Sequence, residues 1–172
     1  MELCSCEIKV HINLSLGKTI NKESDLEKIK NESKIIFAKY EHHLHIYTDG
    51  SKIENKTGCA FYIPDLKIEK QLRISDETSI FKAELIAILE ALSYIENNPP
   101  SLLVIFSDSL CSLKAIKNFE NNNNVINEIR YKLYNLDNNH ISTTLVWIPG
   151  HSGIENNERA DILAKRSTQF KF

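Results

Sequence analysis

The sequence predicts an α/β domain: a five-stranded mixed sheet, three antiparallel strands followed by parallel additions, flanked by helices. Three observations point there. Three strand-like segments follow one another with only turns between them. A long segment of helical periodicity comes next. Strand-like and helix-like segments then alternate to the end of the chain, the pattern of crossover connections in a layered sheet. The 172 residues suffice for one domain with a core of ordinary size.

The elements follow in order. "LHIYTD" at Leu44–Asp49 alternates in character and is the first strand. "TGCAFYIP" at Thr57–Pro64 is the second and "LKIEKQLRI" at Leu66–Ile74 the third, with Pro64-Asp65 suiting a hairpin turn. "SIFKAELIAILEALSYIENN" places apolar residues at 81, 85, 88, 92 and 95, so it is a helix, ended by Pro99-Pro100. "LLVIFSD" is continuously apolar, as a buried central strand requires. "SLCSLKAIKNF" is a helix broken by the run Asn121–Asn124, and "VINEIRYKLYNL" is another. "ISTTLVWIPG" is the last strand and "ENNERADILAKRS" the last helix. The Asn-rich tract reads as compositional bias without mechanism. Residues 1–42 are Lys/Glu-rich with scattered apolar residues and read as an arm or linker, in part disordered or a short helix. The folded domain is expected over residues 43–172.

Composition excludes several classes. Five Gly and four Pro rule out collagen-like or low-complexity character. A net charge of -2 provides no global field for a polyanion, so a nucleic-acid partner needs a local basic patch or metal ions. Cys4, Cys6, Cys59 and Cys111 form no CxxC pair and lie near no His at zinc-ligand spacing, so reduced thiols are expected. Glu2, Glu7 and Lys9 interrupt the first apolar run, a poor secretion signal, and "LLVIF" is far too short to span a bilayer. An intracellular monomer, nuclear or cytoplasmic and without membrane association, is the expectation.

Four acids stand in unusual places. Asp49 closes a strand, which an Asp-Gly turn would also explain. Glu84 lies within the inward stripe of Phe81, Leu85 and Ile88, unless it marks a stripe edge reaching water. A carboxylate facing a core costs several kcal/mol unless paired or metal-bound. Asp108 ends an apolar strand at the sheet edge where ligands bind in open α/β sheets, and equally suits a helix N-cap. Asp161 flanks the small apolar face of Ala160, Leu163 and Ala164, or is an ordinary surface acid. Four converging carboxylates repel and require cations to stay ionised together. Oxygen-only ligands suit Mg²⁺ or Mn²⁺, and two such ions can promote phosphodiester cleavage.

"YTDGS", "KAELIAILEAL", "IFSDSL" and "WIPGHSGIENNERADILAK" resemble type 1 ribonuclease H, most closely the domains of non-LTR retrotransposon polyproteins, over residues 43–168. The resemblance implies the ribonuclease H fold and metal-dependent endonucleolytic cleavage of the RNA strand of RNA–DNA hybrids. It implies that Asp49, Glu84, Asp108 and Asp161 hold two Mg²⁺ or Mn²⁺ ions, Asp49 bridging them and Asp161 on the side of the attacking water. His151, in "PGHSG", matches the family's mobile histidine, implicated in product release or leaving-group protonation. A loop imidazole, titrating near neutrality, suits that role. Ser51 and Lys52 are the expected contacts to the RNA strand, and Thr78 and Ser79 to a phosphate. Lys82, Arg159, Lys165 and Arg166 are further phosphate candidates, and Trp147 is expected to anchor the sheet. Recognition would rest on hybrid shape and the 2'-hydroxyl.

Ile80, Phe81 and Leu110 depart from the family's polar pattern. So does Asn156-Asn157-Glu158 where Gly-Asn-Glu is usual, and no basic helical insertion fits between Phe119 and Val125. A reverse transcriptase domain in the same polypeptide is the expected source of missing hybrid affinity, with 1–42 the stub of that connection. Two other readings compete. One is a catalytically inactive ribonuclease H-fold domain that binds nucleic acid or protein, against which the complete acid set argues. The other is an integrase or resolvase, enzymes that usually lack the "PGHSG" loop.

Overall fold

A computed structural model describes residues 8–172; the thiols of Cys4 and Cys6 lie outside them. Six strands form one sheet: β1 (His11–Asn13), β2 (Leu44–Ile53), β3 (Lys56–Ile63), β4 (Ile68–Ile74), β5 (Leu102–Ser107) and β6 (Ser142–Trp147), in the order β1-β6-β5-β2-β3-β4. β2, β3 and β4 are antiparallel neighbours, and β5, β6 and β1 add in parallel beyond β2. The mixed sheet matches the expectation except for its count, which β1 raises from five to six. The helices are α1 (Leu16–Thr19), α2 (Leu26–Lys39), α3 (Ile80–Ile95), α4 (Leu110–Lys117), α5 (Asn124–Asn138) and α6 (Glu155–Ser167).

Residues 8–42 are not a linker. β1 pairs with β6, and Leu16, Ile20, Ile36 and Tyr40 are buried in a cluster with Tyr47, Phe106, Val146 and Ile148. The physical reason is that β2, β5 and β6 carry apolar side chains on both faces, and a single helix cannot cover the second face. One face carries α3, α4 and α5 over Ile46, Leu103, Ile105 and Leu145. The other carries α1, α2 and α6. Asp25 caps α2 by accepting from the Lys28 amide at 2.7 Å.

The Asn tract has a mechanism after all. Asn118 and Asn121 side chains accept from the amides of Glu120 and Asn123, and Asn123 caps α5 by accepting from Val125 and Ile126. These are turn and cap bonds that short amide side chains make readily. Buried Arg130 closes the same region, donating to the carbonyls of Ala115, Ile116, Asn118 and Asn121 at the end of α4.

Asp49-Gly50 is not a turn. β2 runs on to Ile53, with Asp49 paired to Ala60 and Gly50 to Cys59. The hairpin turns at Glu54 and Asn55, both with positive φ (48° and 63°), the signature of a two-residue turn matched to strand twist. Gly50 is required for a different reason: a Cβ there would lie 2.6 Å from the Glu84 amide nitrogen and 2.8 Å from the Ala83 carbonyl carbon. Backbone atoms of α3 cannot yield cheaply, so Gly50→Ala is expected to cost at least about 2 kcal/mol. Urea unfolding of the variant checks this, and unchanged stability would refute the close-approach role.

Candidate active site

Sheet register brings the first two acids together. Thr48 pairs with Ser107 across the parallel β2–β5 ladder, so Asp49 on β2 and Asp108, just past the end of β5, stand side by side. α3 delivers the third. Ser79 caps it by accepting from the Lys82 amide, and the close approach at Gly50 sets Glu84 against the end of the pair. Asp49, Glu84 and Asp108 each offer an oxygen such that all three lie within 4.8 Å of one another. Asp49 and Glu84 are buried and Asp108 is partly so.

Such a cluster resists ionisation. Burial, then the charges of Asp108 and Asp161, push Asp49 up to about 8, against the relief of hydrogen bonds from Glu84 and the Gly50 backbone. Burial, then the charges of Asp49 and Asp108, raise Glu84 well above its ordinary value, and a side-chain hydrogen bond to Asp49 adds to the rise while the Gly50 backbone opposes it. Burial raises Asp108 too, while a hydrogen bond from Asn157 and the proximity of His151 oppose the rise. Buried Glu84 Oε2 has no hydrogen-bond partner among the described residues. Repelling, under-satisfied carboxylates are what a divalent cation relieves, and the oxygen-only donor set fits Mg²⁺ or Mn²⁺.

Asp161 stands apart from that group of three. It faces the cluster from α6 closely enough to raise Asp49 and Asp108, yet its Oδ2 accepts from Lys165 Nζ at 2.7 Å, one helical turn on. His151 sits exposed in the loop between β6 and α6 with φ 51°, a left-handed conformation uncommon outside glycine. The loop abuts the acids: a Cβ on Gly150 would lie 2.7 Å from Asp108 Oδ2. Glu158 holds the loop's far end, accepting from the Gly153 amide at 3.1 Å.

Two supporting residues complete the site. Trp147, expected as an anchor, donates from Nε1 to the Asp108 carbonyl at 3.1 Å. Asn157, noted in the sequence only as a departure from a motif, is buried and donates from Nδ2 to Asp108 Oδ2 at 3.2 Å. Its position four residues before Asp161 was the available signal, because both then share a helix face.

The expected substrate contacts fare differently. Lys52 Nζ donates to the carbonyls of Asp76 and Thr78, Ser51 is buried, and the Ser79 hydroxyl is occupied by its cap. The Thr78 carbonyl accepts from Thr57 as well. Arg159 pairs with Glu69 and Lys165 with Asp161, leaving Lys82 and Arg166 without ion pairs among the described residues. Ile80 is exposed at the start of α3, beside the acids.

Comparison with known proteins bears on this arrangement. The RNase H family profile matches residues 41–169. Ribonuclease HI of Helicobacter pylori (strain ATCC 700392 / 26695) is 32% identical over 139 residues, spanning 73% of this chain and 93% of that protein. Ribonuclease H of Helicobacter acinonychis (strain Sheeba) is 30% identical over the same shares.

Proposed function

This chain belongs to the RNase H family and is a ribonuclease H, and we propose that it hydrolyses the RNA strand of RNA–DNA hybrids at the cluster of Asp49, Glu84 and Asp108. The observation that carries this is the convergence of three carboxylates within 4.8 Å at one end of the sheet. Asp49, Glu84 and Asp108 would hold divalent metal, with Asp161 as a fourth ligand, in a two-ion site. When bound, the cations polarise the scissile phosphate and ease deprotonation of the attacking water.

The protein's own groups prepare that chemistry. Asp49 is held in mid-strand, and Glu84 is set against it by the close approach of α3 at Gly50, so both carboxylates would be in place to hold a cation. Asn157 and Trp147 fix the side chain and backbone of Asp108. Asp161, held by Lys165 on α6 and facing the cluster, would be the fourth carboxylate available to a cation. His151, on its loop, carries a proton to the leaving oxygen or assists product departure. His151→Ala is therefore expected to lower turnover roughly 10²-fold without erasing it. Single-turnover and steady-state rates on a labelled hybrid check this, and an undiminished rate would show His151 idle.

The spelling of the motifs, with Ile80, Phe81 and Leu110 at positions usually polar, supports a retroelement origin and a reverse transcriptase domain as partner. The thiols of Cys59 and Cys111 are free, in keeping with an intracellular site of action. No helix among the described residues is long and apolar enough to cross a membrane.

The deciding experiment supplies Mg²⁺ or Mn²⁺ to the purified chain with a hybrid labelled in its RNA strand and with the same RNA alone. Cleavage of the hybrid only is the expected result. No cleavage in either metal at high protein concentration would leave the inactive, binding-only reading in its place.

A further inference from the structure

Charge is distributed unevenly along the chain. Residues 41–169 carry 13 basic and 17 acidic residues, a poor match for a polyanion. Residues 8–40, ahead of the family match, carry seven Lys against four acids. Much of the domain's own basic charge is spent internally, as Lys52, Arg73, Lys132, Arg159 and Lys165 all show. Lys22, Lys30 and Lys34 have no ion pair among the described residues.

These three lysines surround the loop that carries His151. Lys22 lines a hollow of about 540 Å³ with Leu110, Trp147 and Gly150, the residue packed on Asp108. Lys30 and Lys34 line a second hollow, of about 380 Å³, with Tyr47 and the Gly153–Asn156 end of the loop. Lys30 Cε lies 3.6 Å from where a Gly153 Cβ would be. Ser33, on the same helix turn, is buried on the wall of this hollow, and Glu155 is the single acid there. Tyr47 lies two residues before Asp49 on one face of β2, so the hollow adjoins the acidic cluster.

We propose that this N-terminal segment is a nucleic-acid grip, in which Lys22, Lys30 and Lys34 contact the phosphate backbone of the hybrid beside the acidic cluster. The assignment rests on the hybrid-nuclease reading and adds the surface that holds the substrate. It supplies, from within the chain, positive charge that the matched domain lacks. The contacts read no base sequence, as suits an enzyme that recognises hybrid shape.

The test is hybrid binding by the full chain in an inert Asp49→Asn background, with and without Lys22→Ala, Lys30→Ala and Lys34→Ala together. Affinity for a labelled hybrid, titrated against salt, should fall at least about tenfold, and the salt slope should drop by about 2 to 3, near 0.9 per lost phosphate contact. In the cleaving protein the same triple change should raise KM and leave kcat unaltered. Lys67→Ala, Lys70→Ala and Lys117→Ala together serve as the charge-matched control and should leave affinity and slope nearly unchanged. Equal affinity and slope in the lysine variant, or an equal loss in the control, would overturn the grip. Failure of the unmutated chain to cleave would instead overturn the nuclease reading, because binding is read independently of cleavage.

Discussion

Asp49→Asn is expected to abolish hybrid cleavage, by at least about 10³-fold, while making the metal-free protein more stable. The rate effect follows from losing an anionic ligand where divalent cations supply several kcal/mol of charge stabilisation. The stability effect follows from burial: Asp49 is 5% exposed between two other carboxyls, and an amide of the same size removes the repulsion. Near pH 8 a gain of about 1–3 kcal/mol is expected, read as a higher melting midpoint in chelator. Magnesium should raise the midpoint of the unmutated chain and leave the variant's almost unmoved. A variant that cleaves normally, or melts lower in chelator than its parent, contradicts the assignment of Asp49.

The metal-free protein should also lose stability as pH rises from about 4 to about 8. Unfolded carboxyls release their protons near pH 4. In the folded state burial holds the Asp49 proton until about pH 8, and Glu84 is shifted in the same direction. Within that window the folded state binds more protons, so stability falls with rising pH, by up to about 1.4 kcal/mol per pH unit for each proton held. A drop of roughly 8–16 °C in melting midpoint between pH 5 and pH 8 is expected in chelator for the Asp49 proton, since about 4 kcal/mol is lost over that range and each kcal/mol moves a domain of this size about 2–4 °C. Saturating magnesium should flatten or reverse the trend. A midpoint that rises with pH in chelator would mean that the acids are ionised and relieved by groups other than cations.

Asp49 and Asp108 were legible because an acid at the end of an apolar run violates the pattern around it. Glu84 was legible for the same reason within its helix stripe. Asp161 stood beside a small apolar helix face, a weaker signal, and the motif resemblance then brought His151 into the set. Asn157 was visible as a letter but not as a partner, because its value lies in reaching Asp108 from another element. Lys52, Arg159 and Lys165 looked free for substrate, since nothing in a sequence announces a carbonyl or a distant acid such as Glu69. The N-terminal segment misled most. Ile29, Ser33, Ile36, Phe37 and Tyr40 do follow helical spacing, but a Lys/Glu-rich setting masks the stripe, and a three-residue strand is too short to show period 2.

By itself the sequence determined the order and kind of the elements from residue 43 onward, the mixed pairing of the sheet and the identity of the acids. These depend on local periodicity and on residue type, which are written along the chain. Tertiary structure alone decided that Gly50 serves helix approach rather than a turn, and that Asp161 rests on Lys165. It decided as well that residues 8–42 close the second face of the sheet and bring lysines to the His151 loop. Each of these is a contact between elements distant in sequence. Such contacts are set by which surfaces remain uncovered once the sheet has formed, and by which charges find a nearer partner than the substrate.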